Sequence, residues 1–79
     1  MTSPRAAILG LLDRRKDGAT ICPSEAARAL GGGENWRGRM PAVHEAVDGL
    51  LADGTVALTW KGERMARRDG PYRIVKRQT

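Results

Sequence analysis

The stretch that decides the fold is "NWRGRMPAVHEAVDGLLADGTVALTW", residues 35–60, where a helical apolar pattern gives way to a strand-like one. Projected at the helical angle, its large apolar side chains form one stripe: Trp36, Met40, Val43, Val47, Leu50 and Leu51. Glu45 and Asp48 point the other way. The pattern predicts an amphipathic helix with a core face and an acidic outer face.

The start of this helix is unusual. Pro41 cannot lie far inside a helix, so we expect regular hydrogen bonding to begin near Gly38 or Arg39, after an irregular turn that holds Trp36 and Arg37. Helix N-termini carry partial positive charge, which makes the arginines unfavourable there unless an anion lies outside. The arrangement is therefore either accidental or a sign of an anionic partner at the front of the helix.

A first helix is predicted over residues 4–16, with Ser3 as its N-cap and Pro4 at its first position. The cations at 14–16 suit the negative C-terminal end of a helix, so we interpret them as structural. Gly18 supplies the stop.

A second helix is predicted from Pro23 to the glycines at 31–33, after a short extended segment, "ATICP". Cys22 then falls at its N-cap position, where Ser or Thr is the usual residue. A redox or catalytic thiol is the alternative interpretation of Cys22, and a second cysteine or a base next to it would be needed for that role.

Two strands are predicted near the C-terminus, over residues 55–60 and 72–77. The segment between them is basic and too long for a tight hairpin turn, so we expect a loop. The last strand carries three cations that we expect on a solvated sheet edge: Arg73, Lys76 and Arg77.

This order of elements predicts one domain over residues 1–79, mainly α-helical with a β-hairpin. The predicted architecture is a winged helix-turn-helix, with three helices, a short strand and a two-stranded wing. The chain is long enough for one core, and truncation of a central leucine such as Leu50 should be costly.

Composition argues against several other functions. Cys22 and His44 are the only residues of their kinds, so neither an internal disulfide nor a Cys/His metal set is expected. The sequence predicts no enzymatic activity, cofactor or small-molecule ligand. It also lacks a signal peptide and an apolar run of the about 18 residues that a membrane span needs, so we expect a cytoplasmic protein.

Charge is distributed unevenly along the chain. The net charge is +5, and the excess lies in residues 55–79. This segment contains seven cations and only two acidic residues, Glu63 and Asp69. A one-sided basic segment is typical of a polyanion partner, although base-composition bias and a solvated face are the alternative. Seven residues are predicted to contact nucleic acid: Arg37, Arg39, His44, Lys61, Arg64, Arg67 and Arg68.

Three stretches, "ICPSEAARAL", "NWRGRMPAVHEAVDGLLADGTVALTWKG" and "GPYRIVKR", resemble a small, largely bacterial family of uncharacterised single-domain proteins. The shared pattern is I-C-P-S-E, W-R-x-x-M-P and G-P-x-R-I, and the resemblance runs from Ile8 to Lys76. It implies a winged-helix fold. Because the family is a domain of unknown function, the resemblance implies no substrate and no catalytic residues, and the segment "ERMARRD" is more basic than its pattern implies.

The leading functional hypothesis is DNA binding, by a transcriptional regulator or an accessory factor. A protein-interaction adaptor and an RNA-binding protein remain alternatives, because the fold serves all three, and a homodimer is a further possibility. Glu45 and Asp48 would repel a phosphate backbone and favour the adaptor. We expect Trp36 to pack on the core and favour burial of Trp60 over an exposed stacking position.

Overall fold

The apolar stripe of the decisive stretch forms the centre of the core, as its spacing predicts. Val43, Val47 and Leu50 are fully buried, and Trp36, Met40 and Leu51 pack against the core while half-buried. The computed structural model describes residues 3–31 and 33–77, with side chains everywhere in these ranges except at 33 and 34. The ends of the predicted domain, 1–2 and 78–79, lie outside the described residues.

Three α-helices form the helical part of the described chain: α1 (Pro4–Asp13), α2 (Pro23–Ala29) and α3 (Met40–Ala52). The Ser3 hydroxyl accepts a hydrogen bond from the Ala6 N–H at 3.1 Å, which confirms the predicted N-cap. The prediction that α1 reaches Lys16 is wrong. Its C-cap is Arg14, whose N–H donates to the Leu11 carbonyl at 3.3 Å and tightens the last turn.

The chain enters α3 through a 3₁₀ helix over Gly33–Arg39. Pro41 has no N–H and clashes with the carbonyl four residues back, so it is tolerated only within the first turn of an α-helix. The α-helix accordingly begins at Met40. The predicted irregular turn around Trp36 and Arg37 is therefore present, in 3₁₀ form.

Four strands form one antiparallel sheet: β1 (Thr20–Ile21), β2 (Val56–Trp60), β3 (Glu63–Met65) and β4 (Arg73–Lys76), in the spatial order β1-β4-β2-β3. The predicted two-stranded wing is thus wrong, and the domain is mixed α/β rather than mainly α. One row of register partners crosses all four strands and faces the core: Met65, Leu58, Ile74 and Ile21.

The additional strand, β3, arises from a turn that the sequence prediction missed. Lys61 and Gly62 have φ values of 53° and 84°, and positive φ at both central positions is what a two-residue hairpin turn of type I′ requires. Glycine adopts this conformation without strain, whereas lysine does so at a cost. The turn places β3 directly against β2, so the expected loop over 61–71 is only a loop after Met65.

The last strand is not an edge. β4 pairs with β1 on one side and with β2 on the other, which makes it an inner strand of the sheet. Of its predicted solvated cations, Arg73 is half-buried, whereas Lys76 and Arg77 are exposed. The edges of the sheet are instead β1 and β3. Among the described helices, none has the length and apolarity that a membrane span requires.

Candidate nucleic-acid interface

Arg37 and Arg39 lie exposed in the 3₁₀ helix in front of α3. Arg39 occupies the N-cap position of α3, and its Nε donates to the Gly31 carbonyl at 3.3 Å. Gly31 has a φ of 89° and ends α2. The hydrogen bond therefore ties the turn after α2 to the start of α3, and no side chain that the structure describes accepts from the outer nitrogens of Arg39.

Trp36 is contacted by two arginines. The Cζ atoms of Arg28, in the last turn of α2, and of Arg37 each lie 4.7 Å from the centroid of the indole ring. This distance is within the range of a cation–π interaction. Trp36 itself is half-buried against the core, which confirms the predicted packing role. Sequence reasoning missed Arg28, although its place near the end of α2 was a signal for proximity to the front of α3.

His44 is held by a residue from the other end of the domain. Its Nδ1 lies 2.6 Å from the Tyr72 hydroxyl, and the two rings are tilted by 56°. Burial and then the Arg68 charge lower the pKa of His44, against the attraction of Asp48. In the neutral imidazole with its proton on Nε2, the Tyr72 hydroxyl donates to Nδ1. His44 is thus half-buried and engaged, and it lines a groove of about 370 Å³ with Pro71 and Ser24.

Arg68 is engaged in the same region. Its Nε and Nη2 donate to the two carboxylate oxygens of Asp48 on α3, at 2.7 and 2.8 Å. This bonding lowers the pKa of Asp48 and raises that of Arg68. Arg67 lies beside the pair, in the wall of a recess of about 500 Å³, and is exposed. The segment after β3 is therefore fastened to the outer face of α3.

Lys61 and Arg64 lie on the β2–β3 hairpin, both exposed. Arg64 is a register partner of Thr59, which in turn faces Arg73, so this row lies on the outer side of the sheet, opposite the core row. Arg64 shares a recess of about 380 Å³ with Lys76 and Arg77. The hairpin thus presents cations away from the helices.

The seven predicted residues fall into three groups. Arg37 and Arg39 lie in front of α3, the pair Lys61 and Arg64 lies on the hairpin, and a third group lies against the side of α3: His44, Arg67 and Arg68. Among the side chains that the structure describes, no carboxylate pairs with five of them: Arg37, Arg39, Lys61, Arg64 and Arg67.

Two further predictions have clear outcomes. Trp60 is 39% exposed at the end of β2, so the expected burial is wrong. It is the register partner of Glu63 and lies next to the hairpin turn between β2 and β3. Cys22 is the N-cap of α2, as predicted, and the Glu25 carboxylate accepts from its N–H at 2.6 Å. The Cys22 sulfur accepts a hydrogen bond from Arg73 Nη1 at 2.8 Å.

Among the described side chains, no three His, Cys, Asp or Glu residues are grouped as metal ligands. Fold and surface together define a small α/β domain with a four-stranded antiparallel sheet and a basic exterior. The chain belongs to the family described as "Protein of unknown function (DUF3253)", whose model matches residues 2–77. A search of curated proteins found no match.

Proposed function

We propose that this domain is a winged helix-turn-helix that binds duplex DNA, chiefly through the phosphate backbone. The order α1, β1, α2, α3 and then the β2–β4 pair is the winged-helix order, with β3 as an enlargement of the wing. The excess positive charge of the chain, +5, gives the sequence-independent attraction on which such binding depends.

The observation that carries the proposal is the set of exposed cations without a carboxylate partner among the described side chains. Five of them are predicted contacts in two segments, the front of α3 and the hairpin with the residues that follow it, and the others are Arg14, Lys16, Arg28 and Arg77. Structural salt bridges already occupy other surface cations, such as Arg5 with Asp53 and Arg15 with Glu25. Cations that remain available after this pairing are the ones that can neutralise phosphates.

The free face of α3 favours backbone contact over base reading. Its exposed positions near the front are Pro41, Ala42 and Glu45, none of which donates a hydrogen bond to a base edge from its side chain. Glu45 would repel phosphates, and loop contacts occupy His44 and Asp48. We therefore expect little sequence specificity.

A salt series tests the proposal. If about six phosphates are neutralised, a plot of the logarithm of the association constant against the logarithm of the salt concentration should have a slope of about −5. Fluorescence anisotropy with random-sequence duplex DNA measures this slope. Arg64→Ala with Arg67→Ala should reduce the slope by about 2. The matched control is Arg5→Ala with Arg15→Ala, which removes the same charge from two exposed cations that carboxylates already pair and should leave the slope nearly unchanged.

An absence of salt-dependent binding at protein concentrations of about 10 μM would contradict DNA binding. Equal losses in the two double variants would contradict a particular role of Arg64 and Arg67. Duplex RNA and single-stranded DNA of the same length serve as competitors, and tighter binding to RNA would replace DNA by the RNA alternative.

A protein-interaction adaptor is the second candidate, and exposed Trp60 favours it. Tryptophan is enriched at the centres of protein interfaces, and here it lies next to the edge strand β3. The two candidates differ in their response to salt. Binding to a protein partner that persists at high salt and is lost in Trp60→Ser, while Arg64→Ala has no effect, would favour the adaptor.

A further inference from the structure

The front of α3 carries an arrangement that general basic charge does not explain. Arg28 and Arg37 contact the same indole ring, each with its Cζ atom 4.7 Å from the centroid of Trp36, so the two guanidinium carbons are no more than twice that distance apart. This lies within the Debye length of about 10 Å at 0.1 M salt. The like charges therefore repel each other and raise the local positive potential.

Both arginines are exposed, and neither pairs with a carboxylate among the described side chains. The indole is held in turn, because Trp36 packs against the core. A planar guanidinium stacked on a fixed ring loses much of its conformational freedom before any ligand arrives. Arg39 is fixed nearby through its bond to the Gly31 carbonyl. The site is thus preorganised, and no carboxylate among the described side chains neutralises it.

We propose that Arg28 and Arg37, oriented by Trp36, form a binding site for a backbone phosphate of nucleic acid. This inference rests on the proposed DNA binding. It deepens that proposal by naming Arg28 as a phosphate-binding residue and Trp36 as a residue that positions it. Guanidinium groups suit this ligand because their N–H groups match the spacing of phosphate oxygens.

The same geometry argues against base stacking on Trp36. The indole is half-buried, and two guanidinium groups already lie against it. A base would have to displace an arginine to reach the ring, which would remove the cations that attract the strand. Phosphate binding needs no such displacement. We therefore propose a phosphate of the duplex DNA backbone as the ligand of this site.

The test uses the full chain with Trp60→Phe, which leaves Trp36 as its one tryptophan. Random-sequence duplex DNA should change the Trp36 emission. Arg28→Gln and Arg37→Gln should each lower the salt slope by about 1, whereas Arg15→Gln, a matched charge loss at an arginine that Glu25 already pairs, should not.

Trp36→Phe keeps a ring and should retain most of the affinity, and Trp36→Leu should lose affinity while both arginines remain. Circular dichroism identifies a Trp36 variant that fails to fold, and the arginine variants then decide the matter alone.

The outcomes separate the two proposals. If the parent chain binds duplex DNA but both arginine variants keep its slope, the phosphate site is wrong and DNA binding stands. If the parent chain does not bind DNA, the proposed function fails, and inorganic polyphosphate becomes the probe.

A change of Trp36 emission on addition of polyphosphate that is lost in Arg28→Gln and Arg37→Gln would support the phosphate site. No change of emission in the parent chain would overturn it. Stronger binding of a single strand than of the duplex, with quenching of Trp36 that survives Arg28→Gln, would indicate base stacking instead.

Discussion

Arg68 and Asp48 form a bidentate ion pair, with N–O distances of 2.7 and 2.8 Å, that fastens the segment after β3 to α3. One helical turn earlier, His44 contacts Tyr72 and makes a second tie between the same two parts of the chain. The pair changes the electrostatics of the outer face of α3. The sequence suggested that Asp48 would repel phosphate and that Arg68 would bind phosphate. In the structure, Arg68 instead neutralises Asp48.

The ion pair should make a small contribution to stability. Its side chains are 34% and 50% exposed, so solvent and salt screen the attraction, and we expect a coupling free energy of about 0.5 to 1 kcal/mol. A double-mutant cycle with Arg68→Ala and Asp48→Ala, measured by urea unfolding, gives this value. The coupling should shrink at high salt. Additive effects of the two substitutions would show that the pair contributes nothing.

Releasing Arg68 should affect DNA binding. Asp48→Asn removes one acid and frees the guanidinium, so the salt slope should become steeper by about 1. Glu45→Gln removes one acid from the same face without releasing an arginine, so it is the matched control and should leave the slope unchanged. Equal slopes in the two variants would mean that Arg68 does not reach the DNA even when free.

His44 should make the domain less stable at acidic pH. Burial, with help from Arg68, lowers its pKa below the ordinary value of 6.5, so the fold favours the neutral imidazole. Burial also raises the pKa of Tyr72 to about 12, which keeps its hydroxyl protonated as a donor. The stability that the neutral His44 contributes is fully present above pH 6.5, the ordinary pKa of its imidazole in the unfolded chain. It is lost as the pH falls below that value and through the lower pKa of the folded state.

Thermal melts of the wild type and His44→Gln from about pH 8 to about pH 5 would measure this effect. Glutamine keeps an acceptor for the Tyr72 hydroxyl but does not titrate, so its melting temperature should fall less over this range. Glu25 also titrates in acid and is common to both proteins, so the comparison removes its contribution. The charge of His44, however, helps to lower the pKa of Asp48, so the difference reports on His44 together with this coupling. Parallel curves, or an imidazole pKa above the ordinary value by NMR, would contradict the prediction.

Local sequence patterns explain which elements the sequence predicted well. The α3 stripe buries side chains at helical spacing, β2 and β4 are rich in strand-forming residues, and the predicted bounds of all three differ from the observed ones by a few residues at most. β3 carries no such pattern, since Glu63 and Arg64 are exposed and Met65 alone packs against the core. Its existence depends on the hairpin turn and on pairing with β2, which periodicity does not encode.

The site was less predictable, because its features are contacts between distant residues. Net charge correctly indicated which segments are basic, but charge alone does not distinguish Arg68, paired with Asp48, from Arg67, which is exposed beside it. The arginine stack on Trp36 joins α2 to the 3₁₀ helix across a glycine turn. Such pairings follow from tertiary packing, and no local spacing rule specifies them.

Lys61 should cost stability where it stands. Its φ of 53° is left-handed, and Lys61→Asn, a residue that tolerates this conformation, should stabilise the domain by about 0.5 to 1 kcal/mol. Gly62→Ala, at a φ of 84°, should destabilise it by about 1 kcal/mol or more. Thermal unfolding measures both. Because Lys61→Asn also removes a proposed phosphate contact, it should bind DNA more weakly although it is more stable, and tighter binding would contradict that contact.

Arg73 should be the cation whose loss damages the fold most. Its Nε donates to the Thr20 hydroxyl at 2.6 Å, and its Nη1 donates to the Cys22 sulfur at 2.8 Å, so it joins β4 to β1 and to the start of α2. Lysine has one ammonium group and cannot reach both acceptors in this geometry. Arg73→Lys should therefore lower the free energy of unfolding by about 1 to 2 kcal/mol.

Arg77→Lys, at an exposed position on the same side of the sheet, is the control for Arg73→Lys and should change stability little. Thr20→Val tests the mechanism, because it removes the hydroxyl acceptor and keeps the shape of the side chain. If the bond to Thr20 carries much of the effect, Arg73→Lys should cost less in the Thr20→Val background than in the wild type. Equal costs in the two backgrounds would assign the effect to the remaining guanidinium bond, from Nη1 to the Cys22 sulfur, rather than to the bond with the Thr20 hydroxyl.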